Sequence, residues 1–109
     1  MFKKNEPQKD SELFTIYDSK TQAYGNPTHA VNHHDLIRQV TNMFLDPTQQ
    51  TNQLYQNAED FSIFRIGTYS KTTGKIDAIN PEHIANLHDL RALVRAQQPK
   101  NVQPGIAST

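Results

Sequence analysis

The sequence contains no cysteine, so disulfide bonds, thiolate catalysis and cysteine-based zinc sites are all excluded. It also lacks an excess of either charge, with 11 Lys and Arg against 11 Asp and Glu. Proteins that coat nucleic acid through charge alone are strongly basic, so that class is disfavoured, although local patches stay possible. No apolar run approaches the roughly 20 residues of a membrane-spanning helix. The first ten residues are polar and do not resemble a signal peptide, so we expect a cytosolic protein without membrane contact.

The length of 109 residues and a hydrophobic content of 35% allow one domain with a modest core. Residues 1–11 are charged and contain Pro7, which is typical of a flexible arm. Residues 97–109 contain two prolines and few apolar side chains, which predicts a flexible tail. The sequence therefore predicts a single domain over residues 12–96.

Local patterns predict both strands and helices within this domain. Residues 13–18, 61–69 and 76–79 are rich in β-branched and aromatic side chains and predict strands. Asn32 is a good N-cap for a helix, which Pro47 should end near Leu45. Apolar side chains recur along this helix at helical spacing: Leu36, Ile37, Val40, Met43 and Phe44. Residues 48–60 are rich in Gln and Asn without periodicity, and predict a loop.

A second helix is predicted near the C-terminus. Asn80 is suited to cap it and Pro81 to occupy its first turn. Its apolar stripe would comprise Ile84, Leu87, Leu90, Leu93 and Val94. We therefore expect an α+β fold, in which one helix packs across a small antiparallel sheet of three to four strands and the second helix follows.

The stretch FSIFRIGTYSKTTGKI, at residues 61–76, raises the question of a phosphate-binding loop. Such a loop needs four residues between its glycines and a hydroxyl after its lysine. Here six residues separate Gly67 from Gly74, and Ile76 follows Lys75. A hairpin explains the sequence better, because Gly74 suits the left-handed position of a short turn.

Alternation along the hairpin predicts which side chains share a face. Phe61, Ile63, Arg65 and Tyr69 should lie on one face, opposite Phe64 and Ile66. If Phe64 and Ile66 join Phe14 and Ile16 under the helix, the other face presents Tyr17, Arg65 and Tyr69. That face has three possible roles: base stacking on single-stranded nucleic acid, self-association, or burial beneath the second helix.

No metal or catalytic site is expected. His33, His34 and Asp35 are adjacent, and neighbours on a helix point about 100° apart, so they do not face one ion. His83 and His88 are five residues apart and also lack a common face. The carboxylates are scattered and no Ser-His-Asp motif has a suitable context, so we expect neither an enzyme nor a cofactor.

The order of motifs resembles the small nonstructural protein of gokushoviruses, which are single-stranded DNA phages of the microvirus group. The resemblance covers residues 13–79 and rests on four pieces in order: FTIYDSKTQAY, LIRQVTNMF, DP and EDFSIFRIGTYSKTTGKI. Family members often end soon after the last strand. Their continuation resembles IAN at 84–86, which would make residues 83–87 extended rather than helical.

The resemblance implies a protein that is made in the infected cell, stays in the host cytoplasm and is absent from the virion. It also implies a role in phage DNA replication, during synthesis of single strands for packaging. Together with the aromatic and basic face, it leads us to expect a non-enzymatic accessory that contacts single-stranded DNA. A sheet of three to four strands leaves edges and an open face, so we also expect a homodimer that hides them. Seven residues are the candidate DNA contacts: Tyr17, Arg65, Tyr69, Lys71, Lys75, Arg91 and Arg95.

Two alternatives stay open at this point. The closely competing hypothesis is an adaptor that binds a phage or host replication protein without touching DNA, and the neutral charge of the chain favours it. Arg91, Arg95 and Lys100 form a second candidate patch, and we favour the simpler explanation that they are the solvated end of the second helix.

Overall fold

A computed structural model describes residues 10–97 as a curled antiparallel sheet with helices on one side. The α+β class predicted from the sequence is confirmed, with more strands and helices than expected. The strands are β1 (Ser11–Asp18), β2 (Ala23–Tyr24), β3 (Thr28–Ala30), β4 (Phe61–Tyr69) and β5 (Ile76–Asn86). The helices are α1 (His33–Leu45), the single turn α2 (Gln53–Gln56) and α3 (Leu87–Gln97). Two 3₁₀ turns, Pro47–Gln49 and Ala58–Asp60, flank α2.

Strand β1 lies at the centre of the sheet and pairs along both of its edges. On one edge it pairs with β4, which in turn pairs with β5. On the other edge β3 pairs with its first half and β2 with its last two residues. Every pairing is antiparallel, so short turns suffice between β1 and β2 and between β4 and β5.

The core lies between one face of the sheet and helices α1 and α3. Phe14 and Ile63 are fully buried from the sheet, and Phe44 and Leu87 are fully buried from the helices. The predicted option that Phe64 and Ile66 join Phe14 and Ile16 beneath the helix is therefore wrong, because Ile63 packs beside Phe14 and neither Phe64 nor Ile66 belongs to the core. The register explains this: Ile16 lies opposite Ile63, and residues opposite each other in a ladder share a face.

Helix α1 begins and ends where the sequence predicts. The Asn32 side chain accepts a hydrogen bond from the backbone N–H of Asp35 at 2.9 Å, as expected for an N-cap. The helix ends at Leu45, and Asp46 then caps the 3₁₀ turn that Pro47 begins. Leu36, Val40 and Phe44 are its buried residues, so the predicted apolar stripe faces the core.

The predicted helix start at Asn80 is wrong, because β5 continues to Asn86 and α3 begins at Leu87. Pairing with β4 extends to Ser62, opposite Asn86, and that ladder outweighs the local helix signal. Pro81 lies where the register shifts, and a bulge tolerates a residue without a backbone N–H. The extended 83–87 that the family resemblance suggested is thus correct through residue 86.

Arg91 joins α3 to the segment between α1 and β4. Its guanidinium donates to the backbone oxygens of Tyr55 (2.7 Å) and Gln56 (3.1 Å) and to Glu59 Oε1 (3.0 Å). Only 8% of the residue is exposed. The solvated helix end expected for Arg91 is therefore wrong, since this side chain holds the loop segment against the core.

Acid should weaken the Arg91–Glu59 pair. The backbone N–H of Glu59 and the Arg91 guanidinium hold the pKa of the Glu59 carboxyl below its usual value, although desolvation opposes them. A carboxyl with a lowered folded pKa adds stability above its unfolded pKa, and that contribution disappears as the pH falls through the lowered value. We expect urea unfolding to show a steeper loss of stability below about pH 4 in the wild type than in Glu59→Gln.

Asp35 provides a second test of the same effect. Its side-chain contact with Arg38, followed by the backbone N–H of Val31, lowers the pKa of this carboxyl too. A Glu59→Gln/Asp35→Asn variant should therefore have a flatter acid profile than Glu59→Gln alone.

Equal acid sensitivity of the wild type and Glu59→Gln would contradict the assigned role of Glu59.

The described residues contain no helix with the length and apolarity needed to cross a bilayer. Most of the predicted arm and tail, residues 1–9 and 98–109, lies outside the described residues. Ser11 already belongs to β1 and is buried, so strand structure begins one residue before the predicted domain boundary.

Candidate functional site

Four rings form a continuous group on the face of the sheet opposite the helices. We call Tyr17, Tyr24, Phe64 and His83 the outer-face cluster. The ring centroids of Tyr17 and Tyr24 are 4.8 Å apart, and Phe64 lies 5.6 Å from Tyr24 and 5.4 Å from His83. One residue comes from each of β1, β2, β4 and β5, so the cluster crosses the whole width of the sheet. Among residues 10–97, no helix or strand covers this face.

Strand alternation and register place these rings together. Ile16 packs against the core, so its neighbour Tyr17 points to the outer face. Tyr24 lies directly opposite Tyr17, and His83 lies directly opposite Phe64. Directly opposed side chains are within contact distance across a ladder. Tyr24 on β2 therefore adds a ring beside Tyr17, and His83 on β5 adds a ring beside Phe64.

A bulge fixes the position of β2 at the sheet edge. Three residues, 25–27, lie opposite two residues of β1 between the β2 and β3 pairings. The Thr15 hydroxyl donates to the Gly25 carbonyl at 2.8 Å, and the Gly25 N–H donates to the Ile16 carbonyl at 2.8 Å. These bonds hold the chain beside β1 and keep Tyr24, which is 49% exposed, at the edge of the cluster.

Polar side chains adjoin the cluster on β4 and β5. The Ser62 hydroxyl donates to Asn86 Oδ1 at 2.9 Å, and His83 Nε2 lies 2.9 Å from the same oxygen. An amide oxygen only accepts, so this contact fits the His83 tautomer that carries its hydrogen on Nε2. We call Ser62, His83 and Asn86 the polar edge. Stacking surfaces thus lie beside hydrogen-bonding groups.

The charge of the described residues is unfavourable to simple phosphate attraction. Residues 10–97 carry seven Lys or Arg and ten Asp or Glu. Three of the basic side chains, Arg38, Arg65 and Arg91, are held in ion pairs with carboxylates. Any nucleic acid that binds here must gain affinity from stacking and hydrogen bonding as well as from the remaining cations.

A comparison with models of protein families identifies the family of this chain. The family model for the phage ORF5 protein matches residues 11–90, which spans the sheet, helix α1 and the start of α3. The chain belongs to the phage ORF5 protein family. No curated protein and no solved structure matches it. The matched region includes every residue of the outer-face cluster and the polar edge, so both lie within the family domain.

The structure of this phage ORF5 family member separates the three residues predicted to share a face. Tyr17 is in the outer-face cluster. Tyr69 lies opposite Ser11, about 20 Å along β1 from Tyr17. Arg65 lies opposite the buried Phe14, on the helix side of the sheet, and pairs with Glu82 at 3.0 Å. These three side chains therefore do not form one patch.

The predicted basic residues fall in two other places. Lys71 and Lys75 are exposed in the β4–β5 turn, where Gly74 has a φ of 75°, so the hairpin prediction is confirmed. Arg91 is engaged with Tyr55, Gln56 and Glu59, which leaves its guanidinium little access to a phosphate. Arg95 stacks on the Tyr55 ring at 5.5 Å and donates to its hydroxyl at 3.3 Å.

Sequence reasoning missed Tyr24, Phe64 and His83 as a group. Strand alternation allows Phe64 a place in the core, and the spacing of the histidines points to His83 only as a possible metal ligand. Within residues 10–97 no three His, Asp or Glu side chains converge as a metal site. The grouping depends on the register of β1 against β4, because a shift of one position moves a side chain from the core face to the outer face.

Proposed function

We propose that this phage ORF5 protein is a non-enzymatic accessory of viral DNA replication that binds single-stranded DNA on the outer face of its sheet. The outer-face cluster is the observation that carries the proposal. The earlier resemblance to the gokushovirus nonstructural protein supplies the biological setting. In this proposal the protein acts in the host cytoplasm, outside the virion, while single strands are made for packaging.

Aromatic side chains on an open sheet are suited to unpaired bases because every base has a π face. Base–aromatic stacking contributes about 1–3 kcal/mol per base, largely independent of sequence. Tyr24 and Phe64 are the best placed, since Tyr24 is half exposed and its ring centroid is 5.6 Å from that of Phe64. A duplex hides the faces of its bases, so the same surface should discriminate against double-stranded DNA.

Lysines of the hairpin turn are the best candidates for phosphate contacts. Lys71 and Lys75 are exposed and make no ion pair within residues 10–97. Lys20, in the turn after β1, is similarly exposed. If these three lysines of the described residues supply the phosphate contacts, the salt dependence is shallow, because each neutralised phosphate of a single strand contributes a slope of only about 0.7.

Fluorescence anisotropy with labelled oligodeoxythymidylate tests the proposal directly. We expect the wild type to bind, with a log–log salt slope of about −2 or shallower. Tyr24→Leu should weaken binding about tenfold, because leucine keeps apolar bulk but loses the stacking face. Lys71→Glu/Lys75→Glu should weaken binding at low salt and flatten the slope.

A matched control is Leu93→Ala, which removes an exposed apolar side chain from α3, on the other side of the sheet. It should bind DNA as the wild type does. The same oligonucleotide annealed to its complement should bind more weakly. Absence of wild-type binding at low salt, or wild-type affinity in Tyr24→Leu, would overturn the proposed interface.

A second candidate function is an adaptor that uses the same face to bind a protein. The observation that favours it is the acidic balance of residues 10–97 together with the apolar rings of the cluster. Aromatic side chains are common anchors of protein interfaces. The partner would be a phage or host replication protein, or a second copy in a homodimer. Sedimentation of the wild type and Tyr24→Leu at several concentrations tests the dimer, and pull-down from infected cells tests the others.

A further inference from the structure

We infer that Asn86 is a direct ligand contact, whose amide N–H groups donate to an oxygen acceptor of the nucleotide stacked on Phe64 and His83. This inference rests on the proposed function and specifies the chemistry at the β5 end of the cluster. It concerns a residue that the sequence did not single out and that precedes a helix.

Two contacts define the orientation of the amide in the structure. Ser62 Oγ and His83 Nε2 are both 2.9 Å from Asn86 Oδ1. Those contacts turn the carbonyl of the amide towards the protein, so its NH₂ group points away from them. Within residues 10–97, Asn86 Nδ2 makes no hydrogen bond, and Asn86 is exposed. The two N–H donors therefore point in a defined direction and have no partner among the described residues.

Helix capping does not explain this arrangement. Asn86 immediately precedes α3, a position where asparagine often accepts a hydrogen bond from the first helical turn. Here the acceptor oxygen is turned to Ser62 on β4 instead. His83 also contacts Phe64 edge to face, at an interplanar angle of 83°. The unpartnered donors thus lie next to a side chain that belongs to the stacking cluster.

A fixed pair of donors recognises acceptors, which a nucleotide offers both on its base and on its phosphate. Thymine has two carbonyl oxygens, and the phosphate has charged oxygens. A hydrogen bond of this kind contributes about a fivefold change in affinity. Carboxylates and other acceptor-only groups at this position would instead repel the same oxygens.

The test compares three replacements of Asn86 by anisotropy with oligodeoxythymidylate. Asn86→Ser keeps a small neutral side chain but removes the NH₂, and should weaken binding about fivefold. Asn86→Asp keeps the shape and accepts from Ser62 and His83, but donates nothing, and should weaken binding more. Asn86→Gln restores the donors and should recover part of the affinity. Asn80→Ala, at another exposed asparagine of β5, should bind as the wild type does.

A second oligonucleotide identifies the acceptor. Difluorotoluene has the shape and stacking face of thymine but no good acceptor. If Asn86 contacts the base, the wild type binds this oligomer about fivefold more weakly and Asn86→Ser adds no further loss. If Asn86 contacts phosphate, the wild type binds both oligomers equally and Asn86→Ser weakens both.

The outcomes separate this inference from the proposed function. Thermal unfolding by circular dichroism should give Asn86→Asp and Asn86→Ser midpoints near the wild-type value. If Asn86 had a purely structural role, both midpoints would fall. Wild-type DNA affinity in Asn86→Ser, while Tyr24→Leu loses affinity, would overturn the role of Asn86 and leave the stacking interface intact. Failure of the wild type to bind DNA would overturn both.

Discussion

Arg91→Ala is expected to lower the free energy of unfolding by about 2–4 kcal/mol. The guanidinium donates to the carbonyls of Tyr55 and Gln56, which end the short helix α2, and to the carboxylate of Glu59. Removing it leaves those carbonyls without their donor in a part-buried place. It also removes the packing of a side chain that is only 10% exposed. Urea unfolding followed by circular dichroism measures the change.

Arg38→Ala provides the matched control for an arginine in an ion pair. The Arg38 side chain is 71% exposed and pairs with Asp35 within α1, so its removal should cost at most about 0.5 kcal/mol. Arg91→Lys should recover only part of the loss, because an ammonium group lacks the planar fork that reaches three acceptors. If Arg91→Ala and Arg38→Ala cost the same, the clamp assigned to Arg91 is incorrect.

The contrast between α1 and β5 shows what local sequence can predict. Helix α1 has a capping Asn32, an apolar stripe and Pro47 after its end, and all of these signals are local. Residues 80–86 also carry helix-start signals, but the backbone from Glu82 to Asn86 pairs with β4, some 20 residues earlier in the chain. The energy of that ladder depends on a distant strand, so no window around Asn80 contains it.

The candidate site was less predictable than the fold for the same reason. The aromatic residues are visible in the sequence, but their grouping depends on which residue of β4 lies opposite Thr15. That partner is Phe64. A β-bulge between Leu13 and Phe14, where Ile66 is the extra residue of β4, changes the register for the first residues of β1. A shift of one residue exchanges the two faces of a strand. Likewise, the burial of Arg91 follows from the path of the loop at 46–60, which has no periodic pattern.

Gly67→Ala is expected to destabilise the protein by about 3 kcal/mol, at the upper end of the range for overpacking. Gly67 is buried in β4, between Leu13 of β1 and Ala78 of β5. A Cβ at this position would collide with the backbone carbonyl of Asp77 and lie 3.3 Å from Ala78 Cα. Because the obstacle is backbone, relief requires β4 and β5 to separate rather than a side chain to rotate.

Gly25→Ala is the control, since a Cβ there meets only the Ile16 carbonyl, at 3.4 Å, and should change stability by less than about 0.5 kcal/mol. Hydrogen exchange should localise the effect of Gly67→Ala, with faster exchange for the paired residues Thr68 and Tyr69 and unchanged exchange in α1. Wild-type stability in Gly67→Ala would mean that the two strands are farther apart than their register implies.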